Sequence, residues 1–173
     1  MMTSFIDNIP IIVRTVADLK PKNILDVGAA FGKYGLLISE ALLSEQAEAG
    51  ELFPEQNFKI VACENAKYFL EQKHLLAIYN RVMPEDIRTV SQEKLNEFDL
   101  ILMIDIIEHW PKEDFVNLMK KVKFGTKVLI STPKKVSFYK LGYYGIDKHV
   151  SQFSDQDFND IDISTKDSFI YLI

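Results

Sequence analysis

The sequence has a single cysteine, no long apolar run and no excess of positive charge, and each absence excludes a class of protein. Cys63 alone can form neither an internal disulfide nor a cysteine metal cage, and so few cysteines are typical of a reducing compartment. No stretch approaches the ~18 consecutive apolar residues of a membrane-spanning helix, and no secretory signal is visible. We therefore expect a cytoplasmic protein without a membrane span.

The net charge disfavours nucleic acid as a partner. A net charge of −5 on 173 residues argues against a dedicated nucleic-acid-binding protein, because such domains are usually basic. Hydrophobic residues make up 47% of the chain, which is enough for a substantial core in one domain spanning residues 1–173. The composition leaves the oligomeric state open.

The stretch KNILDVGAAFGKYGLLIS at residues 22–39 has the pattern of a strand that turns through glycines into a helix. Ile24–Val27 is too short an apolar run for a helix, and the apolar residues after Lys33 recur at helical spacing. Small residues let the backbone approach a ligand closely, and the N–H groups of a helix start point into the gap. An ordinary tight turn has the same pattern, so this stretch alone does not decide the function.

The rest of the chain alternates strand and helix patterns. The predicted strands are 23–27, 58–64, 79–83, 98–104, 127–131, 161–163 and 169–173. The predicted helices are 4–19 (with Ser4 as N-cap and Pro10 interrupting or starting the helix), 33–44, 66–76, 91–96, 111–122 and a short one from Ser154, with a polar connection over 44–56. This order predicts an α/β fold: a doubly wound, mostly parallel seven-stranded sheet (Rossmann-like), with helices on both faces and an antiparallel C-terminal hairpin.

In such sheets, ligands bind beyond the carboxyl ends of the strands. A dinucleotide site requires G-x-G-x-x-G and an acid about 20 residues further on. Here Lys33 occupies the place of the third glycine, and Glu64, the acid that ends the second strand, comes much later. An NAD-dependent oxidoreductase is therefore only an alternative interpretation.

Several motifs in the correct order resemble those of the class I S-adenosylmethionine-dependent methyltransferases. LDVGAAFGKYG resembles the family's first motif, D/E-x-G-x-G-x-G, with Ala30 where the second glycine is usual. Glu64 after IVAC resembles the acid that ends the second strand, and Asp86-Ile87 resembles the pair after the third. FDLILMIDIIEHW is similar to the fourth-strand motif of the branch that carries D-x-x-E-H, and ISTPKK and HVSQFSDQDF resemble the segments that follow it.

The resemblance implies S-adenosylmethionine as cofactor, S-adenosylhomocysteine as product, and a role for each matched residue. Glu64 would accept both ribose hydroxyls, since a carboxylate offers two acceptor oxygens. Asp86 would accept from the adenine amino group, with Ile87 packed on the ring. Asp105 would lie at the cationic methionine end. The wall at that end would be formed by Asp26, which accepts amides of the loop, with Gly28, Ala30 and Gly32, and by Phe31 and Tyr34, which shield the sulfonium.

The resemblance further implies methyl transfer to an O or N nucleophile of an unidentified small-molecule acceptor. This reaction is an in-line displacement, so positioning supplies much of the acceleration. A general base is needed only for a hydroxyl or a protonated amine, and His109 and His149 are the candidates beside Asp105. A non-catalytic descendant that keeps the fold as a binding module is the alternative.

Asp105, Glu108, His109 and His149 also form an oxygen and imidazole set that could hold a divalent metal. The ubiquinone-pathway O-methyltransferases and the small-RNA 2′-O-methyltransferases use something similar, but both normally have Glu where this chain has Asp105. Many relatives carry D-x-x-E-H without a metal, and Glu108 could simply cap the next helix. We therefore predict no metal site.

Two further segments allow two interpretations each. The aromatic residues of 136–146 and the pair Lys134-Lys135 would line the acceptor side, or the aromatic residues would only cover the sheet edge. The N-terminal helix would pack on the core or cap the cofactor side, and we favour packing.

Overall fold

The computed structural model describes residues 5–48, 55–135, 148–158, 161–162 and 165–173, and all structural statements below concern these. One sheet of seven strands has the order β3-β2-β1-β4-β5-β7-β6. The strands are β1 Asn23–Val27, β2 Lys59–Cys63, β3 Arg81–Met83, β4 Leu100–Ile104, β5 Lys127–Pro133, β6 Ile161–Asp162 and β7 Ser168–Leu172. Strands β1 to β3 form one half of the sheet, and β4 begins the other half beside β1. The carboxyl ends of β1 and β4 therefore flank the position where a ligand cleft is expected.

Strands β1 to β5 are parallel, and β7 runs antiparallel between β5 and β6. The predicted mostly parallel α/β sheet is therefore confirmed. Within the described residues, β6 and β7 pair antiparallel at two positions, where the sequence pattern predicts a hairpin of strands 161–163 and 169–173. Residue 163, predicted as the last residue of this strand, lies outside the described residues.

Six α-helices are described: α1 Asn8–Leu19, α2 Lys33–Glu48, α3 Lys67–Leu70, α4 Leu75–Ile78, α5 Gln92–Leu95 and α6 Lys112–Met119. Short 3₁₀ turns occupy Ile87–Thr89, Ile107–His109 and Asp155–Asp157. The last of these is the turn predicted after Ser154, whose side chain forms a capping box with Asp157. Residue 4, the predicted N-cap of the first helix, is outside the described residues, and the helix begins at Asn8.

Two helix boundaries differ from the sequence prediction for physical reasons. Helix α2 continues to Glu48 instead of ending near residue 44, because residues 44–48 contain no glycine or proline and include good helix formers. The helix predicted over 66–76 is two short helices. Phe69 and Leu75 are both buried, and six residues of one continuous helix would turn them toward different sides.

The sheet is covered on both faces, and its strands alternate side chains between two cores. On β4, Leu100, Leu102 and Ile104 belong to the core under α1, α2 and α4, whereas Ile101 and Met103 belong to the core under α5 and α6. All five residues of β4 are buried, as in a central strand covered on both faces. The thiol of Cys63 lies in the second core, and burial raises its pKa to about 12.

Helix α1 packs on the sheet through Ile12 and Val16, which are fully buried. Pro10 lies in its first turn, where a missing N–H removes no intrahelical bond. Phe5 and Ile6, just before the helix, are exposed and do not extend the packed face. Within the described ranges, no helix combines the length and the apolar character needed to cross a membrane.

Candidate cofactor-binding and active site

A cavity of about 540 Å³ lies beyond the carboxyl ends of β1, β2 and β4. It brings together most of the predicted site residues: Gly28, Ala30, Phe31, Tyr34, Glu64, Asp86, Ile87, Asp105, Glu108, His109 and His149. Asp26 and Gly32 do not line this cavity and support its wall from behind. The cavity has the size of sites that bind small molecules and cofactors.

The turn after β1 can be made only with small residues. Gly28 has φ +69°, and a Cβ atom on it would lie 2.0 Å from Cδ1 of Ile106. Its N–H donates to the carbonyl of Cys63 at 2.8 Å, which ties the loop to β2. Gly32 has φ +79°, and a Cβ there would approach Ile78 to 2.8 Å. Both positions therefore require glycine, because the backbone there is left-handed and neighbouring side chains approach it closely, as the sequence pattern indicates.

Ala30 occupies the middle of this loop with φ +49°, in the left-handed region that favours glycine. Its N–H donates to Oε2 of Glu64 at 3.0 Å. The departure from the usual glycine is therefore a strained alanine, held in place by an acid on the neighbouring strand.

Glu64 follows β2, is 5% exposed and faces the cavity. Its Oε2 accepts from Ala30 N–H, and its Oε1 accepts from Ala66 N–H at 2.8 Å. Two backbone donors therefore fix the plane of the carboxylate. Each oxygen keeps a second lone pair, so the group can still accept from a pair of neighbouring hydroxyls.

Asp86 has a different environment from the one that the sequence suggests. Its two oxygens accept four contacts from Arg88: the backbone N–H at 3.0 Å, Nε at 2.9 and 3.2 Å, and Nη2 at 2.6 Å. The Arg88 side chain accordingly lowers the pKa of Asp86. The Nε–H is shared between both oxygens, so three donors of Arg88 occupy three of the roughly four lone-pair positions of the carboxylate, and one position remains for an adenine amino group.

Arg88 and Trp110 are cavity residues that sequence reasoning missed. Arg88 bridges Asp86 and Asp114, with Nη1 2.8 Å from the latter. Its guanidinium lies 5.5 Å from the ring centroid of Trp110. The only sequence signal was position: Arg88 comes two residues after Asp86, and Trp110 directly follows the D-x-x-E-H motif. Ile87, in contrast, is buried and lines the cavity where expected.

Asp26 is buried beneath the loop and does not accept the loop amides that the sequence interpretation assigned to it. The hydrogen bond described for its carboxylate comes from the hydroxyl of Tyr79, at 2.6 Å. Burial raises the pKa of Asp26 to about 6, although the Tyr79 hydrogen bond opposes this. A Cβ on Gly35 would lie 2.5 Å from the Tyr79 ring, so this glycine in α2 makes room for the ring.

Asp105 and Lys33 place opposite charges on the same cavity. Asp105 has φ +54°, and its Oδ1 accepts from the Ser131 hydroxyl at 3.1 Å. Burial lowers the pKa of Lys33, an effect that the negative charges of Asp105 and Asp26 oppose. The Lys33 ammonium lies 4.8 Å from the Tyr34 ring centroid. Sequence reasoning noted Lys33 only as a departure from a glycine motif and missed it as a site residue.

Phe31 stands at the rim of the cavity rather than in its depth. Its side chain is partly exposed and packs edge to face on Phe69, with ring centroids 5.1 Å apart. Tyr68 adds a second edge contact at 6.1 Å. This aromatic group can close one side of the cavity while leaving a ring exposed to a ligand.

Glu108, His109 and His149 form a compact cluster at the other side of the cavity. The two imidazole centroids are 5.0 Å apart. Nδ1 of His109 lies 3.2 Å from the carbonyl oxygen of Lys148, which can only accept, so this nitrogen carries the proton of the neutral ring. Nε2 is then the basic nitrogen, as a general base requires.

One sequence interpretation had Glu108 as a cap of the following helix, but the Glu108 side chain does not cap it. Its Oε2 accepts from the hydroxyl of Thr132 on β5 at 3.1 Å. Burial, and then the charge of Asp105, raises the pKa of Glu108 to about 8. Its backbone carbonyl accepts from Val150 and Ser151, which brings His149 next to His109.

The same cluster has the donor types that a divalent transition metal requires. One ligand atom from each of Glu108, His109 and His149 lies within 4.8 Å of the others. The contact between His109 and Lys148 resembles the outer hydrogen bond that orients metal-binding imidazoles. Asp105, the fourth residue of the set considered from the sequence, is not in this group. These three residues would hold a metal if one binds.

The basic pair on the acceptor side is not part of the described cavity wall. The Lys134 ammonium donates to the carbonyl of Thr165 at 2.7 Å and lies over the Phe169 ring. Lys134 therefore binds the segment that leads into β7, and the expectation that Lys134-Lys135 lines the acceptor side stays a prediction. The aromatic stretch 136–146 lies outside the described residues.

Comparisons with known proteins place this site in a known architecture. No protein-family model matches the sequence, and no curated protein matches it. Magnesium protoporphyrin IX methyltransferase from Synechocystis PCC 6803 with bound S-adenosylhomocysteine has a TM-score of 0.60 at 14% identity, over 96% of this chain and 80% of that chain. Its S-adenosylmethionine complex gives 0.58 at 12% identity, over 96% and 77%. This chain has the fold of S-adenosylmethionine-dependent methyltransferases.

A second protein of known structure has the same fold. The methyltransferase domain of the bacterial protein CtHen1-CN has a TM-score of 0.53 at 18% identity, over 80% of this chain and 70% of that chain. Identities this low establish the fold alone. What the cavity does must be argued from its own residues.

Proposed function

We propose that this protein is a methyltransferase that uses S-adenosylmethionine to methylate an O or N nucleophile of a small molecule. The observation that carries the proposal is the Glu64 carboxylate, fixed at the cavity by Ala30 and Ala66. An acid in this position suits a ribose, because its remaining lone pairs can accept the two adjacent hydroxyls. S-adenosylmethionine supplies an activated methyl group on a sulfonium.

The amino-acid end of the cofactor suits the space between Asp105 and Lys33. That end carries an ammonium and a carboxylate, and the cavity carries one charge complementary to each. Gly28, Ala30 and Gly32 shape the wall there, and Asp26 supports it through Tyr79. Ile87 offers an apolar surface to the adenine, and Asp86, whose orientation Arg88 fixes, keeps an acceptor position for the adenine amino group.

His109 and His149 are the residues we assign to the acceptor side. Nε2 of His109 can take the proton of a hydroxyl or an ammonium acceptor, while Nδ1–H continues to donate to the Lys148 carbonyl. Asp105 lines the same cavity as His109, and its carboxylate would stabilise positive charge on a ligand there.

Isothermal calorimetry tests the proposal. We expect S-adenosylhomocysteine to bind at micromolar or lower concentration and NAD not to bind. Binding of NAD alone would instead indicate the oxidoreductase, and binding of neither would indicate a module that keeps only the fold. For substitutions of Glu64, the matched control is Glu97→Ala, which removes an exposed acid away from the cavity.

A metal is not part of this proposal. Glu108 has a pKa of about 8, so a metal at neutral pH would have to displace its proton. We expect the methyl transfer reaction, once an acceptor is found, to proceed unchanged in EDTA. Turnover that EDTA abolishes and added Mn²⁺ or Zn²⁺ restores would make Glu108, His109 and His149 metal ligands.

A further inference from the structure

A buried line of hydrogen bonds runs from the N-terminal helix to the cavity. Nδ2 of Asn8, the first residue of α1, lies 3.3 Å from Oγ of Ser131 on β5. The Ser131 hydroxyl in turn lies 3.1 Å from Oδ1 of Asp105. Asn8 and Ser131 are both 0% exposed. An amide this deeply buried at the start of a helix stabilises the fold only if its polar atoms are paired.

The partners of Asn8 set its direction. Its Oδ1 accepts from the Thr165 hydroxyl at 2.9 Å, and its Nδ2 also donates to Ser168 Oγ at 2.9 Å. The side-chain nitrogen therefore faces Ser131 and acts as the donor. A serine hydroxyl has one proton, so a Ser131 oxygen that accepts from Asn8 directs this proton to Asp105.

Ser131 holds Asp105 at two points. The backbone N–H of Asp105 donates to the Ser131 carbonyl at 2.8 Å, and its carboxylate accepts from the Ser131 hydroxyl. Asp105 has φ +54°, a backbone conformation that side-chain-bearing residues rarely adopt. Such a conformation persists only where the surroundings over-determine it. The pair of bonds from Ser131 supplies that constraint, and Asn8 fixes the rotamer of Ser131.

We infer that Asn8 is a positioning residue for the amino-acid end of the cofactor and acts through Ser131 on the Asp105 carboxylate. This inference rests on the proposed function. It gives α1 a second role beside packing: the helix does not line the described cavity, yet it orients a charged group that does. Positioning of this kind matters because a charged hydrogen bond depends on the orientation of its acceptor.

The test compares two ligands that differ only at the relevant end. S-adenosylhomocysteine carries the amino acid, whereas 5′-methylthioadenosine keeps the adenosine and the sulfur but lacks it. We expect Asn8→Ala and Ser131→Ala each to weaken S-adenosylhomocysteine by about tenfold, the usual effect of losing one hydrogen bond to a charged group. The affinity for 5′-methylthioadenosine should change less than twofold.

Two further variants separate positioning from packing. Asn8→Asp keeps the size of the side chain but replaces the donor by an acceptor, so it should lose S-adenosylhomocysteine affinity as Asn8→Ala does. Thr126→Val removes a different buried hydrogen bond, from the Thr126 hydroxyl to the Phe98 carbonyl, which is not on the line to Asp105. It should lower the thermal midpoint but leave both affinities within twofold of the wild type.

The double variant Asn8→Ala/Ser131→Ala should bind no more weakly than Ser131→Ala, because residues that act through one another are not additive. Should Asn8→Ala not fold, Ser131→Ala and Asn8→Asp carry the comparison. Equal weakening of both ligands, or unchanged S-adenosylhomocysteine binding in Ser131→Ala, would overturn the inference alone. A wild-type protein that binds neither ligand would overturn the proposed function and the inference together.

Discussion

The Glu64 carboxylate accepts the backbone N–H of Ala30 at 3.0 Å, across the turn that joins β1 to α2. One acid therefore holds the loop in a strained shape and at the same time faces the cavity. Its removal should affect ligand binding and loop geometry together.

Glu64→Ala should weaken S-adenosylhomocysteine by about 100-fold or more, because two hydrogen bonds to a charged acceptor are lost and each contributes about 1.5–3 kcal/mol. Calorimetry at fixed pH measures this directly. Glu97→Ala, which removes an exposed acid, should leave the affinity for S-adenosylhomocysteine unchanged. An affinity of Glu64→Ala within threefold of the wild type would contradict the assignment of Glu64 to the ribose.

Ala30→Gly should stabilise the protein. Ala30 has φ +49°, and the left-handed conformation costs a residue with a side chain about 1 kcal/mol relative to glycine. For a chain of this size, that energy corresponds to a rise of about 2–4 °C in the thermal midpoint. The N–H that bonds to Glu64 is retained, so cofactor affinity should be equal or higher. A lower midpoint in differential scanning calorimetry would show that the methyl group of Ala30 contributes packing that outweighs the strain.

The order of strands and helices along the chain and the glycine turn could be predicted from the sequence because they depend on local patterns. Short apolar runs bounded by turn residues, and small residues at fixed spacing, have few structural alternatives. The site residues at strand ends, Glu64 above all, followed from the same patterns. The partners of these residues could not be predicted, because they come from distant segments: Tyr79 on Asp26, Arg88 on Asp86 and Ser131 on Asp105.

The predicted helix boundaries were wrong where tertiary packing decides them. No local signal divides residues 66–76 into two helices, because the division follows from the burial of both Phe69 and Leu75, which one continuous helix would turn toward different sides. Lys33 was missed for a similar reason. Its role depends on Asp105, which is 72 positions further along the chain and reaches the same cavity only through the order of the strands.

The stability of the protein should depend on pH through Asp26. Its folded pKa of about 6 is above the ordinary 3.8, so its contribution is fully present below pH 3.8 and is lost as the pH rises through about 6. The loss is on the order of 3 kcal/mol, from 1.36 kcal/mol for each pKa unit. Relative to Asp26→Asn, the wild type should therefore become less stable between pH 4 and pH 7 in urea titrations.

Two variants refine this pH test. Tyr79→Phe removes a hydrogen bond that lowers the pKa of Asp26, so the loss of stability should move to higher pH. Asp18→Asn changes an exposed acid on α1 and should leave the pH profile unchanged. If wild type and Asp26→Asn have parallel profiles, Asp26 is not the titrating group.

Lys33→Gln should weaken S-adenosylhomocysteine by about tenfold, because one ion pair with the carboxylate of the ligand is lost in a partly buried site. Burial lowers the pKa of Lys33, so we expect the ammonium to gain from a carboxylate partner. Since 5′-methylthioadenosine lacks that carboxylate, its affinity should be unchanged or slightly higher. Lys22→Gln, away from the cavity wall, is the matched control. If Lys33→Gln weakens both ligands equally, Lys33 shapes the loop instead of binding the amino acid, and the charge pair with Asp105 has another purpose.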